Sequence, residues 1–372
     1  LNTTGSSGNA SIDNGTTALN IAASSVGGEL HLRSGNNITD SGTVTVGQYL
    51  VATTDANNGS ITLDNLAVDV DINLNTHGTG NATAVNDEGY RFGGLVSTIG
   101  GNLSVTATTG NMTDNNGGSV TVAGTSSFTT SASNADITLD DADNAFSGAI
   151  TLSTNGSTGH ATLDHGTTAI NIAASSIGGN LTLTSGAAAG ITDSGTLTVG
   201  GNLVATTDAN NGLINLGTLA VDGTVALTTN GSGNATIDNG TLNLDLAASD
   251  IGGNLTATSG AAAGITDSGT ITVAGNLVAT TDANNGVIDL DQTAVTGTVA
   301  LTTNGSGNAT FDNGTLNLDL AASNVGGNLT ATSGAAAGIT DSGTITVAGN
   351  LVATTDANNG VIDLDQTAVT GT

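Results

Sequence analysis

The chain has no cysteine, no proline, no tryptophan and no lysine. Without cysteine there is no disulfide framework, so stability has to come from packing and backbone pairing. Without proline every backbone N–H is free to hydrogen-bond, which suits strands with neighbours on both sides. Cations are nearly missing too: Arg33 and Arg91, with four histidines, stand against 31 acidic residues and leave a net charge of −29. Such a polyanion excludes nucleic acid and anionic membrane surfaces as direct partners. No apolar run approaches the roughly 18 residues of a spanning helix, so the sequence does not read as membrane-spanning.

What the sequence has is repetition. Residues 252–296 recur letter for letter at 326–370. The tripeptide Ile-Thr-Asp begins at Ile38, Ile191, Ile265 and Ile339, with Met112-Thr113-Asp114 as an altered copy. The equal steps from Ile191 to Ile265 and from Ile265 to Ile339 define a 74-residue period, with five extra residues between the second and third copies. Five units result, approximately 1–70, 71–147, 148–222, 223–296 and 297–370, and residues 371–372 open another. The last two units differ only at Ile237 against Phe311, Asp250 against Asn324 and Ile251 against Val325. Repeats of this kind build a stack of modules, each burying its apolar face against its neighbours.

Within a unit a shorter beat restarts at Gly297, Gly327, Gly349 and Gly371, at spacings of 30, 22 and 22, which reads as three turns of chain. In the turn from Gly327, Leu329 and Ala331 alternate with Thr330 and Thr332, and Ile345 and Val347 alternate with Thr344 and Thr346. Alternation with period two, broken by Gly, Asn and Asp clusters, marks strands with one buried face. The expected fold is all-β, a parallel β-helix (β-solenoid) with about three coils per 74-residue repeat, stacked about 4.8 Å apart. The whole chain is then one continuous solenoid. The alternative is a string of tandem small β-sandwich domains, which has no reason to restart at each of these glycines.

The strings Gly-Asn-Leu-Thr-Ala-Thr-Ser-Gly, Gly-Thr-Ile-Thr-Val-Ala-Gly-Asn-Leu and Asn-Asn-Gly-Val-Ile-Asp-Leu resemble the repeat regions of filamentous-haemagglutinin-type proteins and other very large bacterial surface adhesins. The resemblance covers the entire chain. It implies a right-handed β-helix, secretion, and a place at the cell surface or in a matrix fibre.

Enzymes on β-helices that act on acidic polysaccharides need a cation beside clustered carboxylates and aromatic platforms for the sugar. Here the two arginines lie in the first two units, and the six aromatics (Tyr49, Tyr90, Phe92, Phe128, Phe146 and Phe311) are dispersed. No catalytic, cofactor-binding or metal residues are assigned. His160 and His165 flank Asp164 in a weak metal pattern, but their counterparts in later units are Asn234 and Asn239, then Asn308 and Asn313, which makes them turn positions first. His31 and His77 form no pattern. The corner residues Asp312, Asp341 and Asp365 would hold Ca²⁺ if their carboxylates superposed; otherwise each caps a turn through the backbone. The stretch 85–97, with Tyr90, Arg91 and Phe92, is the least repeat-like, and it is a candidate lateral loop for partner contact.

The sequence therefore reads as a non-enzymatic structural rod in an extracellular or cell-surface fibre, an adhesin stalk or biofilm matrix filament, that associates with itself end to end or laterally. It is expected to be a tile from something longer, because Leu1 corresponds to Leu301 and Gly371-Thr372 to Gly297-Thr298. Two further readings are an adhesin segment that binds carbohydrate or a host surface through its loops, and a polysaccharide-active enzyme. With Arg33 and Arg91 as its only tryptic sites, the denatured chain should yield residues 92–372 as a single fragment by mass spectrometry.

Overall fold

The computed structural model describes residues 1–114, 117–356 and 359–372. Among them there is no helix, hence none long and apolar enough to cross a membrane. The chain forms two compact units, Leu1–Ser185 and Gly186–Thr372, each a β-solenoid of short parallel strands. Parallel pairing rules out tandem sandwiches, whose sheets are antiparallel.

Strands form where apolar and hydroxyl residues alternate. In Leu255–Ser259 the side chains of Leu255, Ala257 and Ser259 are buried, while Thr256 and Thr258 face outward. Each residue pairs with its equivalent one turn later: Leu255 with Leu277, then Leu277 with Val299. In the first unit one seven-stranded sheet runs from Ala10–Asp13 through Leu30–Ser34, Tyr49–Thr54 and Asp71–Asn75 to Ala145–Phe146. Inside, ladders of Leu, Ile and Val make a dry core, with almost every inward side chain under 2 % exposed.

Corners require left-handed backbone. At the loop after Leu277–Thr281, Asn284 and Asn285 both take φ of 55°, a conformation that Asn tolerates better than most residues. Both side chains then bind neighbouring coils. Asn284 Nδ2 donates to Gly260 O at 2.7 Å, and Asn285 Oδ1 accepts from Ser306 N at 3.0 Å.

The wider spacing between Gly297 and Gly327 is not one oversized coil. Val299 pairs with Leu320 and Ala309 with Leu329, each partner lying one ordinary turn further along the chain, so the length of chain per turn stays nearly constant. A 74-residue repeat therefore takes a fraction more than three turns, and successive copies arrive at different ladders. Leu277–Thr281 stacks with Leu255–Ser259 and Thr298–Thr302, whereas its identical copy Leu351–Thr355 stacks on Leu329–Ser333, in another sheet.

Each such change of ladder needs a splice. Above the long strand Thr298–Thr302 lie two short strands, Leu318–Leu320 and Ser323–Val325. Between them the Ser323 hydroxyl accepts from Leu301 N at 3.0 Å and donates to Ala321 O at 2.9 Å. Opposite, Asn313 replaces a missing strand: Oδ1 accepts from Val295 N at 2.7 Å, and Nδ2 donates to Val295 O at 2.9 Å and Asn317 O at 2.7 Å. Ser249 and Asn239 do the same one repeat earlier. These side chains satisfy buried backbone groups that would otherwise cost about 1–3 kcal/mol each.

The first unit has an additional core feature. Tyr90 and Phe92 stack at 4.7 Å, Phe92 meets Phe128 at 6.2 Å, Phe128 meets Phe146 at 5.2 Å, and Phe146 meets His165 at 5.1 Å. All four Tyr and Phe rings are at most 1 % exposed. Residues that look scattered in sequence are thus neighbours, because inward side chains from successive coils share one narrow interior. Phe128→Ala removes the middle ring and should destabilise the first unit by about 3–5 kcal/mol, seen in denaturant unfolding as an early transition; a shift below about 1 kcal/mol would contradict a close-packed stack.

Candidate functional site

The aspartate of the Ile-Thr-Asp motif holds down the coil above. Asp341 accepts from Asp365 N at 3.3 Å and Gln366 N at 2.8 Å. Asp267 accepts from Asp291 and Gln292 at 3.4 and 2.8 Å, Asp193 from Gly217 and Thr218 at 3.1 and 2.7 Å, and Asp40 and Asp114 do likewise. Burial pushes Asp40, Asp114 and Asp267 above the usual carboxylate value, against the lowering effect of these hydrogen bonds. Asp312 caps its own turn through Gly314 N at 2.8 Å.

The superposition of corner carboxylates that Ca²⁺ would require does not occur, and Asp312 caps its own turn as the other reading has it. Asp312 pairs with Thr332 in one ladder, and Asp341 pairs with Leu320 in another. Asp365 follows Asp341, but it approaches through its backbone N–H. The reason is spacing: Asp312 and Asp341 are 29 residues apart, more than the 20 residues that separate the paired Ala309 and Leu329, so they fall at different corners. Among the described residues no group of three or more His, Cys, Asp or Glu is placed to hold a metal ion.

Of the candidate contact residues in the stretch 85–97, the two aromatics do not face outward. Tyr90 and Phe92 have 0 % exposure and belong to the aromatic stack. Burial raises the Tyr90 hydroxyl well above its usual value, and its oxygen has no hydrogen-bond partner among the described residues. Arg91 is ion-paired with Asp71. Arg33 lies 2.6 Å from Asp55 and 3.7 Å from Asp13. Both arginines thus neutralise acids one coil away.

The same part of the molecule has a recess that sequence reading missed. Residues Gly93, Gly94 and Leu95 overhang the outer face of Asp71–Asn75 and leave Asp71 and Asn73 6 % and 2 % exposed. Gly93 is required there, since a Cβ would sit 2.5 Å from the Asp71 carboxylate. The cavity, about 220 Å³, is lined by Glu29, His31, Tyr49, Asp71, Asn73 and Leu95. Tyr49 and Leu95 stand 39 % and 55 % exposed at its mouth. His31 Nε2 lies 3.4 Å from Glu29 Oε2.

His160 and His165 are not brought together as ligands; each takes over the work of the asparagine in later repeats. His160 Nδ1 accepts from Asn180 N at 2.8 Å, as Asn234 Oδ1 does from Asn254 N at 2.8 Å. His165 stands where Asn239 and Asn313 make the splice: its Nε2 accepts from Phe146 N and its Nδ1–H donates to Ala169 O at 3.0 Å. That pair of bonds specifies the neutral ring. His77 contributes its backbone N–H to Thr54 Oγ1 at 3.3 Å.

The family described as repeats of unknown function (DUF5649) matches residues 7–77, 79–153, 158–217, 232–302 and 306–372. The chain belongs to the DUF5649 repeats. No curated protein and no solved structure matches it.

Among these DUF5649 copies, the third carries a buried histidine. Burial pulls His165 down from 6.5 to about 4, with the hydrogen bonds to Ala169 and Thr168 opposing. Between those values the unfolded chain binds a proton that the folded chain refuses, so stability from this residue is complete above pH 6.5 and declines as pH falls toward 4. The decline amounts to about 3 kcal/mol. His165→Asn, which restores the residue of the later copies, should remove that slope in urea unfolding between pH 7 and 5; identical slopes would contradict the neutral buried ring.

Proposed function

We propose that these DUF5649 repeats are a structural rod segment of an extracellular or cell-surface fibre, an adhesin stalk or matrix filament, and not an enzyme. The observation that carries this is how the polar side chains are used. The Ile-Thr-Asp aspartate, the splice Ser and Asn, and the Asn-Asn-Gly corner all bind backbone of an adjoining coil, in repeat after repeat. At these recurring positions, groups that could do chemistry in an enzyme are occupied with stacking. The resemblance to filamentous-haemagglutinin-type repeats supports the same reading.

The net charge of −29 supports a rod that stays soluble and keeps its distance from like copies. Screening by salt or divalent cations would then favour lateral association. Absence of proline and parallel pairing from coil to coil suit resistance to proteolysis, because cleavage requires local opening.

Electron microscopy of native material should show fibres of uniform width that thicken into bundles when millimolar Ca²⁺ or Mg²⁺ is added at low ionic strength. Compact particles that turn over an acidic polysaccharide would replace this reading.

A further inference from the structure

Where the repeat is best kept, the starts of the long strands carry ladders of asparagine caps, one in each of two sheets. Asn276 N donates to Asn254 Oδ1 at 2.8 Å and Thr298 N to Asn276 Oδ1 at 2.9 Å; Asn328, Asn350 and Thr372 repeat this at 2.8 and 2.9 Å. The first repeat's counterparts, one residue before Leu30, Leu50 and Ile72, are Glu29, Tyr49 and Asp71. They too occupy three successive coils, since Leu30 pairs with Leu50 and Tyr49 with Asp71. Glu29 turns its carboxylate to His31, and Tyr49 has no amide to offer the next coil. Two backbone caps are given up where Glu29 and Tyr49 replace the asparagines, and a second acid, Asp71, stands where the later repeats have Thr298 and Thr372. This is also where the Gly93–Leu95 overhang makes its recess.

The chemistry of that recess favours a cation. The face of Tyr49 attracts positive charge, and carboxylates lie one rung to either side, about 4.8 Å away. Asp71 gives Oδ1 to Arg91, and among the described residues its Oδ2 accepts no hydrogen bond. Arg33 is occupied by Asp55 and Asp13, so further positive charge has to come from outside a chain of net charge −29. At about 220 Å³ the cavity is smaller than the ~300–1,000 Å³ of drug-sized sites, which suits one group and not an oligosaccharide. A planar guanidinium stacks on tyrosine and forks to carboxylate better than an ammonium does. We propose that the recess formed by Glu29, Tyr49, Asp71 and Leu95 binds an alkylguanidinium group, either a small free molecule or an arginine side chain. This goes beyond the rod reading and does not depend on it.

Tyrosine emission reports on the site directly, because the chain has no tryptophan and its only other tyrosine, Tyr90, is fully buried. The full chain is titrated at constant ionic strength with agmatine, N-acetyl-arginine amide, putrescine and galactose. Agmatine should give a saturable change, with putrescine weaker. Glu29→Asn and Tyr49→Asn install the residues of the later repeats, so the fold is preserved; each should weaken binding about tenfold, followed by calorimetry where the fluorophore is lost. Binding of agmatine alone identifies a free guanidine as the ligand, and equal binding of N-acetyl-arginine amide identifies an arginine side chain. A linear response that sodium reproduces, affinity unchanged in both variants, or saturation by galactose and not agmatine would each overturn the proposal.

Discussion

Parallel stacking obliges each coil to hand its backbone N–H and C=O groups to the coils above and below, and the rest of the structure follows from that obligation. Strand ladders meet it along the flat faces, where a missing N–H would break a column; the absence of proline is its direct reflection. At corners and splices the ladder is interrupted, and there short polar side chains take over. Asp267 receives the N–H groups of Asp291 and Gln292, Ser323 receives that of Leu301, and Asn313 both receives from and donates to Val295. The composition of the chain, poor in aromatics and cations and rich in Asn, Asp, Ser and Thr, is what such a scheme demands.

The fractional turn count has a second consequence. Because one repeat does not make a whole number of turns, identical segments occupy different ladders in successive repeats, and no column of like charges runs through equivalent corners. For a chain this acidic, spreading carboxylates over different faces limits self-repulsion. At one meeting of like charges Arg33 supplies a counter-charge between Asp13 and Asp55, whereas among the described residues Asp267 and Asp291 meet without one and the repulsion helps raise Asp267.

Departures from the repeat carry the individual character of the molecule, and they concentrate in the first unit. The aromatic stack from Tyr90 to Phe146 ends on His165, which performs an asparagine's hydrogen bonding with a group that titrates. The Glu29, Tyr49 and Asp71 column abandons the asparagine ladder and faces a recess. These two departures differ in kind. The first keeps the backbone bonds and changes the packing, whereas the second gives up bonds and leaves polar and aromatic groups at the surface.

The period, the strand alternation, the one-sided burial and the equivalence of His160 and His165 with asparagines were all legible in the sequence, because they depend on local pattern and on comparison of one repeat with another. So was the all-β solenoid itself, since a short, regular beat of alternating apolar residues has few other ways to bury its face. The ladder on which each copy lands was not legible. A spacing as wide as that from Gly297 to Gly327 reads equally well as one long coil or as a turn and part of the next, and only the paired registers distinguish them. The same ambiguity hid the aromatic stack, the inward direction of Tyr90 and Phe92, and the recess around Tyr49. Local pattern determined that this chain stacks; the accumulated angle around the solenoid axis, a sum over many turns, decided which residues meet.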